Sequence, residues 1–112
     1  EPIFNEEIHL IGSGRTDAGV HALGQVANFR IDKDIDKRKL QFSLNGMLPR
    51  SISISNIEEV DENFHSRFDA KKRSYFYFIS SVKSPFYGRY SWLNTQASSF
   101  DLKKLNELSS AF

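Results

Sequence analysis

A run of five large side chains constrains the fold of this chain more than any other feature. The run reads Tyr75-Phe76-Tyr77-Phe78-Ile79 and lies within 72–82, the strongest strand pattern in the sequence. Because successive side chains of a strand point to opposite faces, such a strand is apolar on both faces. Strands of this kind are typical of the centre of a sheet that is covered on both sides. We therefore expect a central strand here, with Phe76 and Phe78 in the core.

Shorter patterns predict the remaining strands. Apolar and β-branched residues recur over three further stretches. The predicted strands are, in chain order, 6–13, 23–31, 52–60 and 72–82, with a glycine-rich loop at 12–19 and another loop at 84–88.

Two helices are predicted from leucine spacing and from capping residues. The first spans about 36–47, where Asp36 is placed to cap the helix and Pro49 to end it. The second spans 100–112 with Asp101 as its cap. The order β-β-α-β-β-loop-α predicts an α+β fold with a mostly antiparallel sheet and helices on one face. A length of 112 residues suits a single domain over 1–112.

Composition excludes several classes of protein. At 39% hydrophobic and 26% charged residues, the chain is neither disordered nor collagen-like. The absence of cysteine excludes disulfides, thiolate metal sites and cysteine nucleophiles, and it fits a reducing compartment such as the cytoplasm. No apolar run approaches the roughly 20 residues that a membrane span needs.

Charge is balanced in total, at +1, but it is segregated along the chain. Residues 57–63 carry only acidic charges, whereas Lys71, Lys72 and Arg73 lead directly into the aromatic strand. Such a basic strip is a candidate anion-binding surface. The alternative interpretation is a solvated hairpin end, and charge alone favours that alternative.

The segment from Gly12 to Ala22 carries the most chemical information. It lacks the strand–G-x-G-x-x-G–helix arrangement of a dinucleotide site, and Val20-His21 stands where a P-loop needs Lys-Ser/Thr. Arg15 and Asp17 lie two residues apart, so in extended backbone they point the same way. A neighbouring cation favours an ionised carboxylate, which can act as a nucleophile or general base. An Asx-type turn with a surface ion pair is equally compatible with these residues.

Other catalytic arrangements have weaker support. Asp17 and His21 could pair in a hydrolytic triad, but no serine lies in a G-x-S-x-G elbow. The histidines His9, His21 and His65 lack the spacing of a metal site.

Four motifs follow one another along the chain. The first and most specific is Gly14-Arg15-Thr16-Asp17-Ala18-Gly19-Val20-His21-Ala22, followed by Gly24-Gln25-Val26. The others are Asn45-Gly46-Met47-Leu48-Pro49, Phe64-His65-Ser66-Arg67-Phe68-Asp69-Ala70 and Arg73-Ser74-Tyr75-Phe76-Tyr77. In this order the four motifs resemble the signature of the tRNA pseudouridine synthase A family. The last three resemble that family's Asn-x-x-Leu-Pro, Phe-His-Ala-Arg-Phe-x-Ala and basic-x-Tyr-x-Tyr segments.

The resemblance implies an isomerase that converts uridine to pseudouridine in the anticodon arm of tRNA, without cofactor or metal. It implies that Asp17 is catalytic, that Arg15 pairs with Asp17 and occupies the space opened by the flipped nucleotide, and that Tyr75 stacks on the base. Basic residues beside Tyr75 suit phosphate contacts, which position RNA without reading its sequence; they are Lys71, Lys72 and Arg73.

The family's chain is longer, so the resemblance also implies an internal fragment of a larger homodimeric enzyme. We expect further segments before residue 1 and after residue 112, and an incomplete active site in these residues alone. One alternative is a non-catalytic RNA-binding module that uses Tyr75 and the basic strip. Another is a purely structural fragment.

Overall fold

A computed structural model describes residue 4 and residues 6–111. These residues divide into two compact units. The first contains the described residues up to Arg15 together with Gly24–Lys71. The second contains Thr16–Leu23 together with the described residues from Lys72 onward.

The sheet of the first unit consists of two short antiparallel strands. Strand β1 (Ile11–Gly12) pairs with strand β2 (Ala27–Asn28), so that Ile11 faces Asn28. Both strands lie within the predicted stretches 6–13 and 23–31 but are much shorter. One backbone bond next to this pairing, from the Ser13 N–H to the Val26 carbonyl, also joins the two stretches. The rest of both stretches forms no strand in the described residues.

Helix α1 (Lys37–Met47) matches the predicted helix closely. The Asp36 carboxylate accepts hydrogen bonds from the backbone N–H groups of Arg38 (3.0 Å) and Lys39 (3.1 Å), which confirms its role as the cap. The apolar side of the helix supplies Leu40, which is 4% exposed. Leu40 is the one buried apolar side chain among the described residues.

Side chains of helix α1 replace a strand partner for the segment 52–60. The Asn45 amide oxygen accepts from the Ile54 N–H at 2.7 Å, and the Asn45 amide nitrogen donates to the Ile54 carbonyl at 2.9 Å. Gln41 donates to the same carbonyl at 3.1 Å. These amide side chains satisfy the backbone of Ile54. The segment forms no strand among the described residues, so the prediction of a strand at 52–60 is wrong.

The second unit contains a parallel pair of strands. Strand β3 (Ile79–Ser80) pairs with strand β4 (Trp92–Leu93), which the sequence patterns did not indicate. The Trp92 N–H donates to the Phe78 carbonyl at 2.8 Å. Since one pairing is antiparallel and one is parallel, an α+β fold is confirmed but a mostly antiparallel sheet is not.

A second helix, α2 (Leu102–Ser109), follows a short 3₁₀ turn at Ala97–Ser99. The Asp101 carboxylate accepts from the Lys104 N–H at 3.2 Å, as its predicted capping role requires. The prediction of 100–112 was too long, and Phe112 lies outside the described residues. Within the described part of the chain, neither helix combines the length and apolarity needed to cross a membrane.

The aromatic run does not form a central strand in the described residues. Of the predicted strand 72–82, only Ile79–Ser80 pairs with a neighbour. Phe76 is 76% exposed and Phe78 is 62% exposed, so their expected place in the core is wrong in this structure. Their rings do share one face, with centroids 6.5 Å apart, as strand periodicity requires. In the described residues, the segment before Ile79 lacks the strand neighbours that would cover it.

The cap of helix α1 gives a test of this part of the fold. We expect Asp36→Ala to lower the free energy of unfolding by about 1 kcal/mol, because two N–H groups lose their acceptor. Urea unfolding followed by circular dichroism measures the change. The matched control is Asp34→Ala, which removes an exposed carboxylate that caps no helix. Equal stability of the two variants would contradict the capping role.

Candidate active site

The base of the loop that leads to Asp17 is held by hydrogen bonds of the first unit. Next to the β1–β2 pairing, the Ser13 N–H donates to the Val26 carbonyl at 2.8 Å. One residue further, the Gln25 side-chain amide donates to the Gly14 carbonyl at 2.6 Å. Hydrogen bonds between the two sides of the loop therefore reach as far as Gly14, directly before Arg15.

Ser66 joins both strands at the base of this loop. It is 3% exposed, the one buried polar residue among those described. Its hydroxyl donates to the Ile11 carbonyl of β1 at 2.9 Å, and its N–H donates to the Asn28 side-chain oxygen of β2 at 2.9 Å. A buried hydroxyl with a partner contributes stability, whereas an unpaired one would cost it. Ser66 thus holds together the two strands from which the loop departs.

The turn that presents Ser66 is stabilised by its own side chains. The Asp69 carboxylate accepts from the His65 N–H at 2.7 Å, and the His65 ring stacks on Phe68 with centroids 4.1 Å apart. His65 Nδ1 accepts from the N–H groups of Arg67 (3.2 Å) and Phe68 (3.3 Å). These bonds give His65 a structural role within the Phe-His-Ser-Arg-Phe motif.

Asp17 begins a tight turn in the second unit. The Val20 N–H donates to the Asp17 main-chain carbonyl at 3.1 Å, and Gly19 has φ +84°. Turns with a positive φ at the third residue favour glycine there, because a Cβ is disfavoured in that region. The turn is closed by the carbonyl rather than the carboxylate, so its hydrogen bond is not that of an Asx turn. The Asp17 residue is exposed.

The predicted site residues fall in both units. Asp17 and Tyr75 belong to the second unit together with Lys72 and Arg73, whereas Arg15 and Lys71 belong to the first. Tyr75 is 81% exposed, so its ring is open to a stacking partner. The pairing of Arg15 with Asp17 stays a prediction, as do the roles of the other site residues.

The sequence did not indicate two residues that stabilise the base of the loop, Ser66 and Asn28. Ser66 occupies a position at which the resembling motif has alanine, and Asn28 lies in a strand pattern without any marked feature. The burial of a serine inside a sequence motif gives no signal until its hydrogen-bond partners, which are distant in sequence, are known.

Metal binding has no structural support in the described residues. Among residue 4 and residues 6–111, no group of three or more histidine, aspartate or glutamate side chains is arranged to hold a metal ion.

Comparison with known proteins gives the family. The family described as tRNA pseudouridine synthase matches residues 1–69. The chain therefore belongs to the tRNA pseudouridine synthase family. No solved structure matches the chain significantly.

Named relatives extend the similarity along most of the chain. The chain is 49% identical to tRNA pseudouridine synthase A 1 of Protochlamydia amoebophila over 78% of its length, covering 35% of that relative. It is 45% identical to tRNA pseudouridine synthase A of Dictyoglomus thermophilum over 93% of its length, covering 44% of the relative. For the Brachyspira hyodysenteriae protein of the same name the identity is 43%, over 96% of this chain and 44% of the relative. The chain thus spans less than half the length of these relatives.

The turn at Asp17 is tested by two glycine substitutions. We expect Gly19→Ala to lower the free energy of unfolding by roughly 1–2 kcal/mol, because alanine is disfavoured at a positive φ. A Cβ at Gly19 or at Gly24 meets no atom within 4 Å, and only Gly19 has the positive φ. Gly24→Ala is therefore the matched control, with little loss of stability in chemical denaturation. Equal losses for both variants would show that the turn does not need glycine.

Proposed function

We propose that this chain carries the catalytic aspartate of an enzyme that isomerises uridine to pseudouridine in the anticodon arm of tRNA. The observation that carries the proposal is the exposed Asp17 on a tight turn, within the family's most specific motif. Family membership and the names of the relatives support tRNA as the substrate.

The proposed reaction breaks one bond and forms another without net change in composition. The bond between uracil N1 and the ribose C1′ breaks, the uracil turns, and C5 forms a bond to C1′. C5 then loses its proton and N1 gains one, so the product has the same atoms and the same number of electrons as uridine. We propose that Asp17 attacks the sugar or the base as an ionised carboxylate. The bond that it forms breaks again before the product leaves, which regenerates the free carboxylate. We propose that the reaction needs neither metal nor cofactor.

Access to the target uridine requires base flipping, which costs about a few kcal/mol. In this proposal Tyr75 offsets part of that cost by stacking on the base, a contact worth roughly 1–3 kcal/mol on aromatic platforms. Its exposed ring supports this role. Arg15 is proposed to pair with the Asp17 carboxylate and to occupy the space that the flipped nucleotide leaves.

The proposal also covers the location of the enzyme, its oligomeric state and the activity of the isolated chain. We place the enzyme in the cytoplasm, where tRNA is available, and we expect it to act as a homodimer. Because the chain spans 35% to 44% of these relatives, we also propose that residues 1–112 by themselves do not turn over tRNA. Product formed by the isolated chain would contradict that part of the proposal.

The role of Asp17 is tested by Asp17→Asn in the full-length protein. The variant keeps the shape of the side chain and removes its nucleophilic charge, so we expect product formation to fall to background. The assay follows tritium released from tRNA that contains [5-³H]uridine, because C5 exchanges its hydrogen for the new bond. The control Asp34→Asn changes an exposed carboxylate elsewhere and should leave turnover intact. Unchanged tritium release by Asp17→Asn would overturn the assignment.

A non-catalytic RNA-binding module is the second candidate. The exposure of both Tyr75 (81%) and Tyr77 (82%), just after the basic strip, favours RNA contact whether or not chemistry follows. Binding of tRNA by the full-length protein, without any tritium release by the wild type, would favour this candidate over the enzyme.

The basic strip is tested by the salt dependence of tRNA binding. Each phosphate contact contributes about 0.7–0.9 to the slope of log K against log salt concentration. We expect Lys71→Gln/Lys72→Gln to reduce the slope of the full-length protein by between one and two. The double variant Lys103→Gln/Lys104→Gln on helix α2 removes the same charge from another exposed surface and is the control. Equal slopes for both double variants would reject phosphate contacts at the strip.

A further inference from the structure

We infer that Tyr90 is a positioning residue for the catalytic turn, and that it acts through the ring of His21. This inference rests on the proposed function, because it assigns a task to residues around Asp17. In this inference Tyr90 does not contact the reacting atoms. It holds the segment that carries the Asp17 carboxylate.

The contact lies directly beside the turn. His21 follows Val20, whose N–H closes the turn by bonding to the Asp17 carbonyl. The His21 and Tyr90 rings lie 4.7 Å apart between centroids, at an interplanar angle of 55°. Tilted aromatic pairs prefer centroid separations of about 4.5–7 Å. The end of the catalytic turn is therefore held by a ring contact.

Tyr90 is itself held by a well-bonded turn. The Tyr87 carbonyl accepts from the Tyr90 N–H at 2.9 Å, from the Ser91 N–H at 3.0 Å and from the Ser91 hydroxyl at 2.9 Å. A Cβ at Gly88 would lie 3.2 Å from the Ser84 carbonyl oxygen, so the backbone approaches closely there. The backbone that carries Tyr90 is thus held by hydrogen bonds that do not involve His21.

The turn around Tyr90 continues into strand β4, which pairs with the end of the aromatic run. The Trp92 N–H donates to the Phe78 carbonyl at 2.8 Å, three residues after Tyr75. Tyr90 therefore lies between the His21 ring, which it contacts, and the segment 75–78, which leads from Tyr75 into β3, entirely within the second unit. This arrangement relates the proposed nucleophile to the proposed base-stacking ring.

Loss of the ring contact is expected to affect turnover more than tRNA binding. Small displacements of a catalytic group lower the rate strongly, whereas binding depends on the larger charged surface. We expect Tyr90→Leu in the full-length protein to lower kcat about tenfold or more, with KM for tRNA changed less than twofold. Tyr90→Phe keeps the ring and is expected to restore kcat to near the wild-type value.

The control is Tyr87→Leu, which removes an exposed tyrosine ring from the same turn while its backbone carbonyl stays in place. We expect this variant to keep the wild-type kcat. The positioning role would be overturned if Tyr90→Leu kept the wild-type kcat. It would also be overturned if Tyr90→Phe or Tyr87→Leu lowered kcat as much as Tyr90→Leu does. Absence of product from the wild type would instead overturn the proposed function.

A spectroscopic measurement tests the contact without turnover. Ring currents of Tyr90 shift the His21 ring protons, which are observed by ¹³C-selective labelling of histidine and assigned with His21→Gln. We expect the shift to vanish in Tyr90→Leu and to persist in Tyr90→Phe and Tyr87→Leu. An unchanged His21 resonance in Tyr90→Leu would show that the rings do not meet in solution and would overturn the inference.

Discussion

The two hydrogen bonds made by Ser66 are the interaction on which the sheet of the first unit depends. A pairing of two residues per strand is too short to persist without support, since isolated two-stranded ribbons are marginal in water. Ser66 bonds to β1 through its hydroxyl and to the Asn28 side chain of β2 through its N–H. The buried serine therefore holds together β1 and β2, the two strands that the loop containing Asp17 connects along the chain. The His65 and Asp69 bonds, in turn, keep Ser66 in place.

The two units satisfy the backbone N–H and C=O groups of their unpaired segments in different ways. In the first unit, Asn45 makes with Ile54 both of the hydrogen bonds that a neighbouring strand would make. In the second unit, β4 supplies true strand bonds, but only to the last residues of the aromatic run. Amide side chains can satisfy one or two residues in this way, whereas a longer extended segment requires another backbone.

Local features were predictable from the sequence, and long-range ones were not. The caps Asp36 and Asp101 depend on residues two or three positions away, and both were predicted correctly. The family could be recognised from the loop motif for the same reason, because its residues are contiguous. By contrast, the parallel partner Trp92–Leu93 and the replacement of a strand by Asn45 depend on contacts between distant segments. The apolar pattern of Phe76 and Phe78 predicted that other side chains pack over them, but among the described residues both remain exposed.

The exposed aromatic run also has a consequence for solubility. Residues 74–79 carry no charge, glycine or proline, and their β-forming side chains are mostly exposed. Segments of this composition stack into intermolecular cross-β sheets when they are uncovered. Lys71, Lys72 and Arg73 stand immediately before the run, where like charges on stacked copies would repel one another. Charges at such a position oppose self-association, and this physical effect does not depend on whether the basic strip contacts RNA.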